Sequence, residues 1–558
     1  MAVVPTYPVP GSAGDTPDAD RIRAALGELR PGLVAAYDAA LPGARAAVLA
    51  RLLGALDREH LPGVAARSGH VAGVRRVELA DGRVVEFPAG AAAPFAEAVP
   101  GLAAHLGAAG PDRAGDEAVA DPTTHAHPRA HPNPAAVADP GDLVRALWPG
   151  AALAAEIDNS VANLALARAA AGMALHRGAT GERRALAAAT GEPDGLGRLE
   201  QLVVDGHPLH PCCRTRAGMS VADVLAYAPE HRPVIRLRRL RVPEDRWYGD
   251  GPPVLYAHPW QAARLRAAYP WMVDDDETGP ARPLMSLRTV APLNGGDHVK
   301  TAVDVQMTSA VRTVSPAAVH NGPRLSRLLA KLTADLPLAA LPETAAGAVL
   351  IDGVPRRDMA HLVRRAPRVA PDEVILPLGA DRLVAAAIAG DPHAWFEELA
   401  GILWAPLVTL LRRGVALEAH GQNTLLVLRA GRPSRILYRD LGGVRVSARR
   451  LRAAGVDPPE LRGDLPTDDP AELRTKLAAA AIATVAAQLI TTLTRRHGAD
   501  PARLWAAVAG AIRTSGTPDA AALLTDPLPL KATTAMRLAA DPLADLWTPL
   551  SNPLAAYA

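Results

Sequence analysis

Leu417-Glu-Ala-His-Gly-Gln-Asn-Thr-Leu-Leu-Val-Leu428 is followed closely by Leu437-Tyr-Arg-Asp-Leu-Gly-Gly443. Each apolar run is bounded by a polar cluster. The pattern reads as two short strands joined by a turn at Arg429-Ala-Gly-Arg-Pro433. His420, Gln422 and Asn423 sit just before the first strand, and Asp440 just after the second. The turn returns both ends to one edge, so amide, imidazole and carboxylate groups converge. An Asn and an Asp on adjacent strands suit Mg²⁺, a hard cation that takes oxygen ligands. Protein kinases hold Mg²⁺ on ATP with such a pair, the Asp preceding Phe-Gly. Here the second element reads Asp440-Leu-Gly. Taken alone, the stretch is equally consistent with a plain hairpin that has polar ends.

The chain has 558 residues and is 49% hydrophobic, enough for three or more domains at roughly 100–200 residues each. A net charge of +2 leaves no electrostatic footprint for nucleic acid or a membrane surface. With 3% aromatics, few rings are available to stack on bases. Arg and Ala are abundant and Lys is rare, which reads as base-composition bias rather than function. The two cysteines, Cys212 and Cys213, are adjacent and no other thiol exists to staple the chain, so a reducing compartment is expected. The first residues lack a basic segment followed by an apolar one, and no uninterrupted apolar run reaches ~18 residues. No signal peptide or transmembrane helix is therefore expected, and a cytoplasmic location is.

Residues 1–18 are rich in Pro, Gly and Asp and read as disordered. From Asp20 to Leu61 the apolar spacing is helical, with breaks expected at Pro31 and Pro42. Val71 to Phe87 alternates around Asp81-Gly82, a hairpin signal. A soft stretch from Gly107 to Pro140 carries His125, His127 and His131, read as a solvated loop rather than a metal site because prolines interrupt it. Asp142 to His176 reads as one long helix. A helical N-terminal domain over 1–150 follows from these elements.

The middle region, 151–354, carries Gly206-His-Pro-Leu-His-Pro-Cys-Cys-Arg-Thr-Arg-Ala-Gly218. Gly and two His-Pro pairs make it a rigid loop. Zinc is one reading, but adjacent cysteines lack the two-to-four-residue spacing of a tetrahedral site. An anion-binding loop is preferred, with His207 and His210 as donors and Arg214 and Arg216 as cations. Val234 to Val242 reads as a strand with one wet face. Further on, Ser286, Arg288, Lys300 and Arg312 fall on what read as successive short strands, with Ser286 and Arg288 on one face by period-two alternation. Such cations and hydroxyls suit a phosphate or polycarboxylate. Ser315-Pro316 opens a helix to about Leu332. The third region, 355–558, holds a strand at Glu373–Pro377, helices at 381–389 and 392–413, the opening hairpin, and an apolar helix at 470–496.

Taken in order, these segments resemble the NRPS-independent siderophore synthetases, the aerobactin-synthetase-like (IucA/IucC-type) family. Gly206–Gly218 matches the family's G-H-P-x-H-P-x-x-K-x-R-x-G pattern, with Arg214 in place of the usual Lys. Ser286–Thr289, His298–Thr301, Arg312–Ser315, His420–Asn423 and Arg439-Asp440 match its later motifs. The matched series covers about Glu200 to Gly443. The resemblance implies an α+β chain of cupped-hand architecture: a helical thumb-like domain, a fingers-like domain with antiparallel sheet, and an α/β palm-like domain. It implies adenylation of citrate or a citrate- or succinate-derived acid, followed by condensation with an amine or hydroxyl, with release of AMP and pyrophosphate. By resemblance, ATP would be held by His207, Arg214, Ser286, Arg288, Thr289, Lys300, Arg312, Gln422, Asn423 and Asp440. Asn423 and Asp440 would hold Mg²⁺. Arg288, Thr308 and His420 would grip substrate carboxylate, and Lys300, Arg312 and His420 would be catalytic. A homodimer is expected on family likeness alone. A small-molecule kinase is the first alternative. A ferric-siderophore reductase or binding protein is the second, weakened because an iron–sulfur site would need cysteines beyond Cys213.

Overall fold

Asp18 caps the first helix, Ala19–Leu29, by accepting from the Arg21 N–H at 2.9 Å. The structure, a computed structural model, describes residues 17–68, 73–108, 135–174, 178–308, 310–541 and 544–558. The histidine cluster at 125–131, most of the first 18 residues, residues 71–72 at the start of the expected hairpin and His176 lie outside that range.

The expected break at Pro31 is present as a single 3₁₀ turn, but Pro42 does not end a helix: Val34–Arg58 runs through it. A proline removes one backbone donor. Here the buried face of Leu49, Leu52, Leu53 and Leu56 holds the helix together across that loss. The expected helix from 142 to 176 is instead two, Pro140–Leu147 and Leu153–Ala174, parted at Pro149-Gly150, where Gly150 takes φ 81°.

The N-terminal region is not purely helical. Val74–Leu79 and Arg83–Pro88 form the expected hairpin, with Val77 opposite Val85, inside a five-stranded antiparallel sheet that runs from Val64–Arg67 to Ala135–Val137. Its core does not stop at residue 150. Ile22, Leu49 and Leu166 share one cluster with Cys212, Leu287, Val303 and Met307 of the middle region.

The middle region centres on a six-stranded antiparallel sheet ordered Ala281–Pro283, Thr289–Pro292, His298–Thr301, Val354–Arg364, Glu343–Ile351, Trp247–Gly249. The boundary expected at 354 would divide the hairpin of Glu343–Ile351 and Val354–Arg364, whose tip is Asp352-Gly353 at positive φ. In the third region, Glu373–Pro377, Thr424–Arg429 and Arg432–Tyr438 pair antiparallel, and Leu338–Ala340 adds a parallel edge. Helices Pro392–Arg412 and 470–497 pack on this sheet around Trp395, Phe396 and Trp404.

Three helical stretches, Pro31–Arg58, Pro392–Arg412 and Pro470–His497, are long and apolar enough to cross a membrane by length and composition. None of the three is an uninterrupted apolar run, which is why the sequence pattern does not single them out. In this fold 56%, 61% and 78% of their most apolar windows are buried inside the protein, so packing already accounts for much of that apolarity.

Candidate active site

The hairpin register puts Thr424 opposite Tyr438, and the Arg439 N–H donates to the Asn423 carbonyl at 3.0 Å. His420 opens the turn that feeds the first strand: its carbonyl accepts from the Asn423 and Thr424 N–H groups at 3.0 and 3.1 Å. That turn is pressed against another. A Cβ on Gly421 would lie 2.6 Å from the Gly379 Cα, so only glycine fits there. Arg439 braces the turn from behind, donating to the Gln422 carbonyl at 2.8 and 3.1 Å and pairing with buried Glu200 at 2.7 Å.

Across from the hairpin, Lys300 stands on a central strand of the middle sheet, and its Nζ donates to Asp440 Oδ2 at 2.6 Å. This contact ties the two halves of the site together. Beside it lies a buried Arg364–Glu343 pair at 2.8 Å. Arg288 donates to the Thr313 carbonyl, while its Nε is buried without a partner. Arg312 donates to the Met307 carbonyl at 2.9 Å and to the Thr308 hydroxyl. Asp440, Leu287 and Thr308 all hold positive φ (71°, 64° and 55°). Such backbone costs of order 1–3 kcal/mol per residue and gathers at functional sites.

The charges act on one another. Burial lowers the Lys300 pKa to about 8, against the pull of Asp440. Burial would raise Asp440, but Lys300, Arg364 and Arg288 hold it well below the usual carboxylate range. Burial lowers Arg312 to about 10, with Arg288 and Arg216 adding to it. His420 is also lowered, first by burial, while Glu418 and Asp440 oppose the shift. His207 keeps a solvent-exposed edge on its loop, and its pKa is lowered, first by the protein packed around the ring and then by His420, Arg51 and Arg312. Arg288, Lys300, Arg312, His420 and Asp440 therefore share one electrostatic neighbourhood.

Several expectations need correction. Ser286 and Arg288 are in the turn between two strands, not on a strand: the Leu287 N–H donates to the Leu284 carbonyl at 2.8 Å. The Ser286 hydroxyl accepts from the Thr289 N–H at 3.2 Å, and Thr289 is buried. Arg214, expected on phosphate, is buried and its guanidinium is taken up by protein partners. It pairs with Glu230 at 3.1 Å and donates to the Val203 and Val204 carbonyls. Arg216 takes the other Glu230 oxygen at 3.1 Å. Their work is to hold the loop's shape. Burial would raise the Glu230 pKa, but the two guanidiniums bring it to about 2. His207 Nδ1 accepts the Leu209 and His210 N–H groups at 3.3 and 3.1 Å, which leaves Nε2 as a donor for a ligand. The thiols lie against the Leu153–Ala174 helix, Cys212 Sγ 3.8 Å from Glu156 and Cys213 Sγ 3.6 Å from Ser160.

Replacing Glu230 by Gln should be costly, because it leaves two buried guanidiniums facing a neutral amide. Breaking a buried ion pair on one side costs about 3–5 kcal/mol. Urea unfolding should show the midpoint falling accordingly, and an unchanged midpoint would contradict the role given to this triad.

A cavity of about 510 Å³ lies on the far side of the Gly206–Leu209 loop. It is walled by Ala47, Leu202, Leu209 and Leu383, with Arg51 and Arg382 at its polar edge. It does not contain Lys300, Arg312, His420 or Asp440. It is joined to them through shared backbone, since the Gly379 N–H on its wall donates to the Gly421 carbonyl at 2.9 Å. Its walls come from six separate stretches of chain, between Ala47 and Arg495, so no local signal announced it. Glu418, Glu200, Arg364 and Glu343, which act on or brace these residues, carried no signal in the sequence either.

Residues 196–252 and 249–385 match the family model described as IucA / IucC family, and residues 393–543 match one described as Ferric iron reductase FhuF-like transporter. Staphyloferrin A synthase of Staphylococcus aureus (strain NCTC 8325 / PS 47) is 26% identical over 318 residues, covering 46% of this chain and 54% of that protein. Aerobactin synthase of Escherichia coli is 26% identical over 318 residues, covering 44% and 54%. The chain thus spans about half the length of the curated relatives it matches. Among solved structures, the petrobactin biosynthesis protein AsbB from Bacillus anthracis str. Sterne aligns with TM-score 0.71 and 16% identity over 94% of this chain and 98% of its own. ATP-bound aerobactin synthetase IucA from Klebsiella pneumoniae aligns with TM-score 0.66 and 20% identity over 91% and 99%. The segment that carries most of the ordered motifs is thus the one that matches the IucA / IucC family model, and the chain as a whole shares the fold of the aerobactin synthetase IucA.

Proposed function

We propose that this protein is an ATP-dependent acid–amine ligase of siderophore synthesis. It adenylates citrate or a citrate- or succinate-derived acid and joins it to an amine or hydroxyl, releasing AMP and pyrophosphate. The observation that carries this reading is the Lys300–Asp440 contact with Arg288 and Arg312 beside it. Cations crowd the one point where a hairpin presents hard oxygen and amide ligands. Adenylation brings an anionic carboxylate onto an anionic triphosphate, and fixed positive charge must offset the repulsion.

In this reading the substrate carboxylate oxygen attacks Pα and pyrophosphate leaves. Lys300 and Arg312 hold the charge that develops there. Arg288, with an unpartnered buried Nε, grips the acid together with Thr308. The amine nitrogen then attacks the acyl carbon, the bond to AMP breaks, and the amine proton passes to His420. With its pKa lowered, His420 is neutral near pH 7 and able to accept that proton. Asp440 and Asn423 fit Mg²⁺: one is a carboxylate, and the other's side-chain amide makes no hydrogen bond among the described residues. Mg²⁺ supplies neutralisation of the triphosphate. Gln422 and His207 Nε2 flank the phosphates, and the cavity beyond Gly206 takes the base. Arg214 acts only by shaping the loop.

The cupped-hand division into three domains, a homodimer and a cytoplasmic location belong to the same reading. Light scattering tests the dimer. The FhuF-like match over 393–543 speaks for the reductase alternative, but the only cysteines are the buried Cys212 and Cys213. Incubation with ATP, Mg²⁺, an acid panel and a diamine decides the main reading. AMP and pyrophosphate are expected; ADP would replace it with the kinase.

The pH profile gives a further check. Lys300 is cationic below its pKa of about 8 and loses its charge as pH rises through it. The kcat/KM for acid should therefore fall above about pH 8, since that quantity reports the free enzyme. Lys300→Arg should move that limb upward. A limb that stays in place would mean that another group titrates.

A further inference from the structure

Asp194-Gly-Leu-Gly-Arg-Leu-Glu-Gln201 folds as a short helix, Gly195–Glu200, between the two sheets that carry the candidate site. Its glycines allow a close approach. A Cβ on Gly195 would lie 2.3 Å from the Ala189 carbonyl oxygen, and one on Gly197 3.2 Å from the Arg282 side chain. Polar groups at both ends of the helix pin it to the edge strand of the middle sheet: Asp194 and Gln201 accept from Arg282 at 3.0 and 3.3 Å. Its other side is apolar, and Leu196 packs with Ile375, Leu425, Val427 and Leu437 of the hairpin sheet. The helix is thus fixed to both sheets at once.

Glu200 ends this helix, 1% exposed, and its carboxylate is shared between the two halves of the site. Oε2 accepts the Met285 N–H at 2.8 Å, at the head of the turn that presents Ser286 and Arg288. Oε1 lies 2.7 Å from Arg439 Nη1. The same guanidinium donates to the Gln422 carbonyl, and the Arg439 N–H to the Asn423 carbonyl. One oxygen therefore holds the turn that carries Arg288. The other holds the His420–Asn423 turn through Arg439. The Lys300–Asp440 contact also spans the halves, but those are groups that phosphate and Mg²⁺ would claim. Glu200 and Arg439 are buried behind the site and their charges answer each other, so their tie outlasts that exchange.

We propose that Glu200 is a positioning residue that sets the distance between the turn gripping the acid and the turn holding the nucleotide. Adenylation joins a carboxylate oxygen held from one turn to a Pα held from the other. A misplacement of about 1 Å between them costs on the order of 10²-fold in rate. Glu200 touches neither ligand and acts only through the two turns. This inference rests on the ligase reading.

Glu200→Gln keeps the shape and an acceptor for the Met285 N–H, but loses the charge that holds Arg439. In acid-dependent ATP–pyrophosphate exchange its kcat should fall about 10²-fold, while the KM for ATP and for acid each stay within about threefold, because each ligand keeps the groups of its own turn. Glu200→Asp keeps the charge but is one methylene short of spanning both partners, so its kcat should also fall, by about tenfold. A need for charge alone would leave it unchanged. The pair Glu200→Met with Arg439→Met separates position from stability. Replacing a whole buried ion pair by apolar side chains is often neutral, so the melting temperature should return towards that of the unmodified protein while exchange stays low. Undiminished exchange in Glu200→Gln, a loss carried by KM instead of kcat, or exchange recovering with the melt in the double variant would each overturn the proposal. If the unmodified protein shows no exchange with any acid, the ligase reading falls and takes this one with it. If it shows exchange that none of these variants lowers, only the positioning role falls.

Discussion

Arg312→Ala is expected to cut acid-dependent AMP release by about 10²–10³-fold, the usual cost of removing one preorganised donor from developing charge. Arg312 is held at the end of a short strand by the Met307 carbonyl and the Thr308 hydroxyl, so its fork is aimed before any ligand arrives. It shares the cleft with Arg288, and burial lowers the pKa of both guanidiniums. An arginine kept in so crowded a place needs an anion to justify it. Alanine relieves that repulsion, so the melting temperature should hold or rise slightly while turnover falls. Lost turnover with a preserved melt would mark Arg312 as functional. Retained turnover would move the site elsewhere. His420→Ala should likewise abolish product formation. If His420 serves only the second step, ATP–pyrophosphate exchange should fall less than amide formation.

Asp440→Asn should be at least as damaging. The substitution keeps the size and tolerates the positive φ at this position, because Asn readily adopts left-handed backbone. It removes the charge that faces Lys300 at 2.6 Å and the only carboxylate of the Asn423–Asp440 pair. Buried Lys300, with its pKa already about 8, then loses its main counter-charge and moves lower, so it is less cationic at neutral pH. Two contributions to phosphate neutralisation go at once. A loss of roughly 10³-fold is expected on the scale of such electrostatic groups, with partial recovery at high Mg²⁺ if Asp440 is a metal ligand. A Mg²⁺ titration of AMP release reads this directly. Wild-type activity with an unshifted Mg²⁺ dependence would remove Asp440 from the site.

The opening hairpin was legible because its information is local. Thr424–Arg429 and Arg432–Tyr438 are largely apolar runs of strand length with a tight turn between them, and their polar ends must meet. The helix opened by Ser315-Pro316 was legible for the same reason, as a cap reads its own neighbours. The order of motifs from Gly206 to Asp440 was enough to suggest the family. Some local signals misled. Pro42 suggested a break that packing overrides, and Ser286–Arg288 alternates like a strand but turns like a loop.

Sequence alone determined the elements and the inventory of charges, because strand period, turn residues and caps act over a few positions. Only the tertiary structure decided which charge meets which. Arg214 is paired with Glu230 rather than offered to a ligand, Lys300 meets Asp440 140 residues away, and Lys476 comes to Glu418. Those pairings depend on sheet register and on how three regions pack. Coulomb energy depends on distance and burial in space, and neither can be read from separation along the chain.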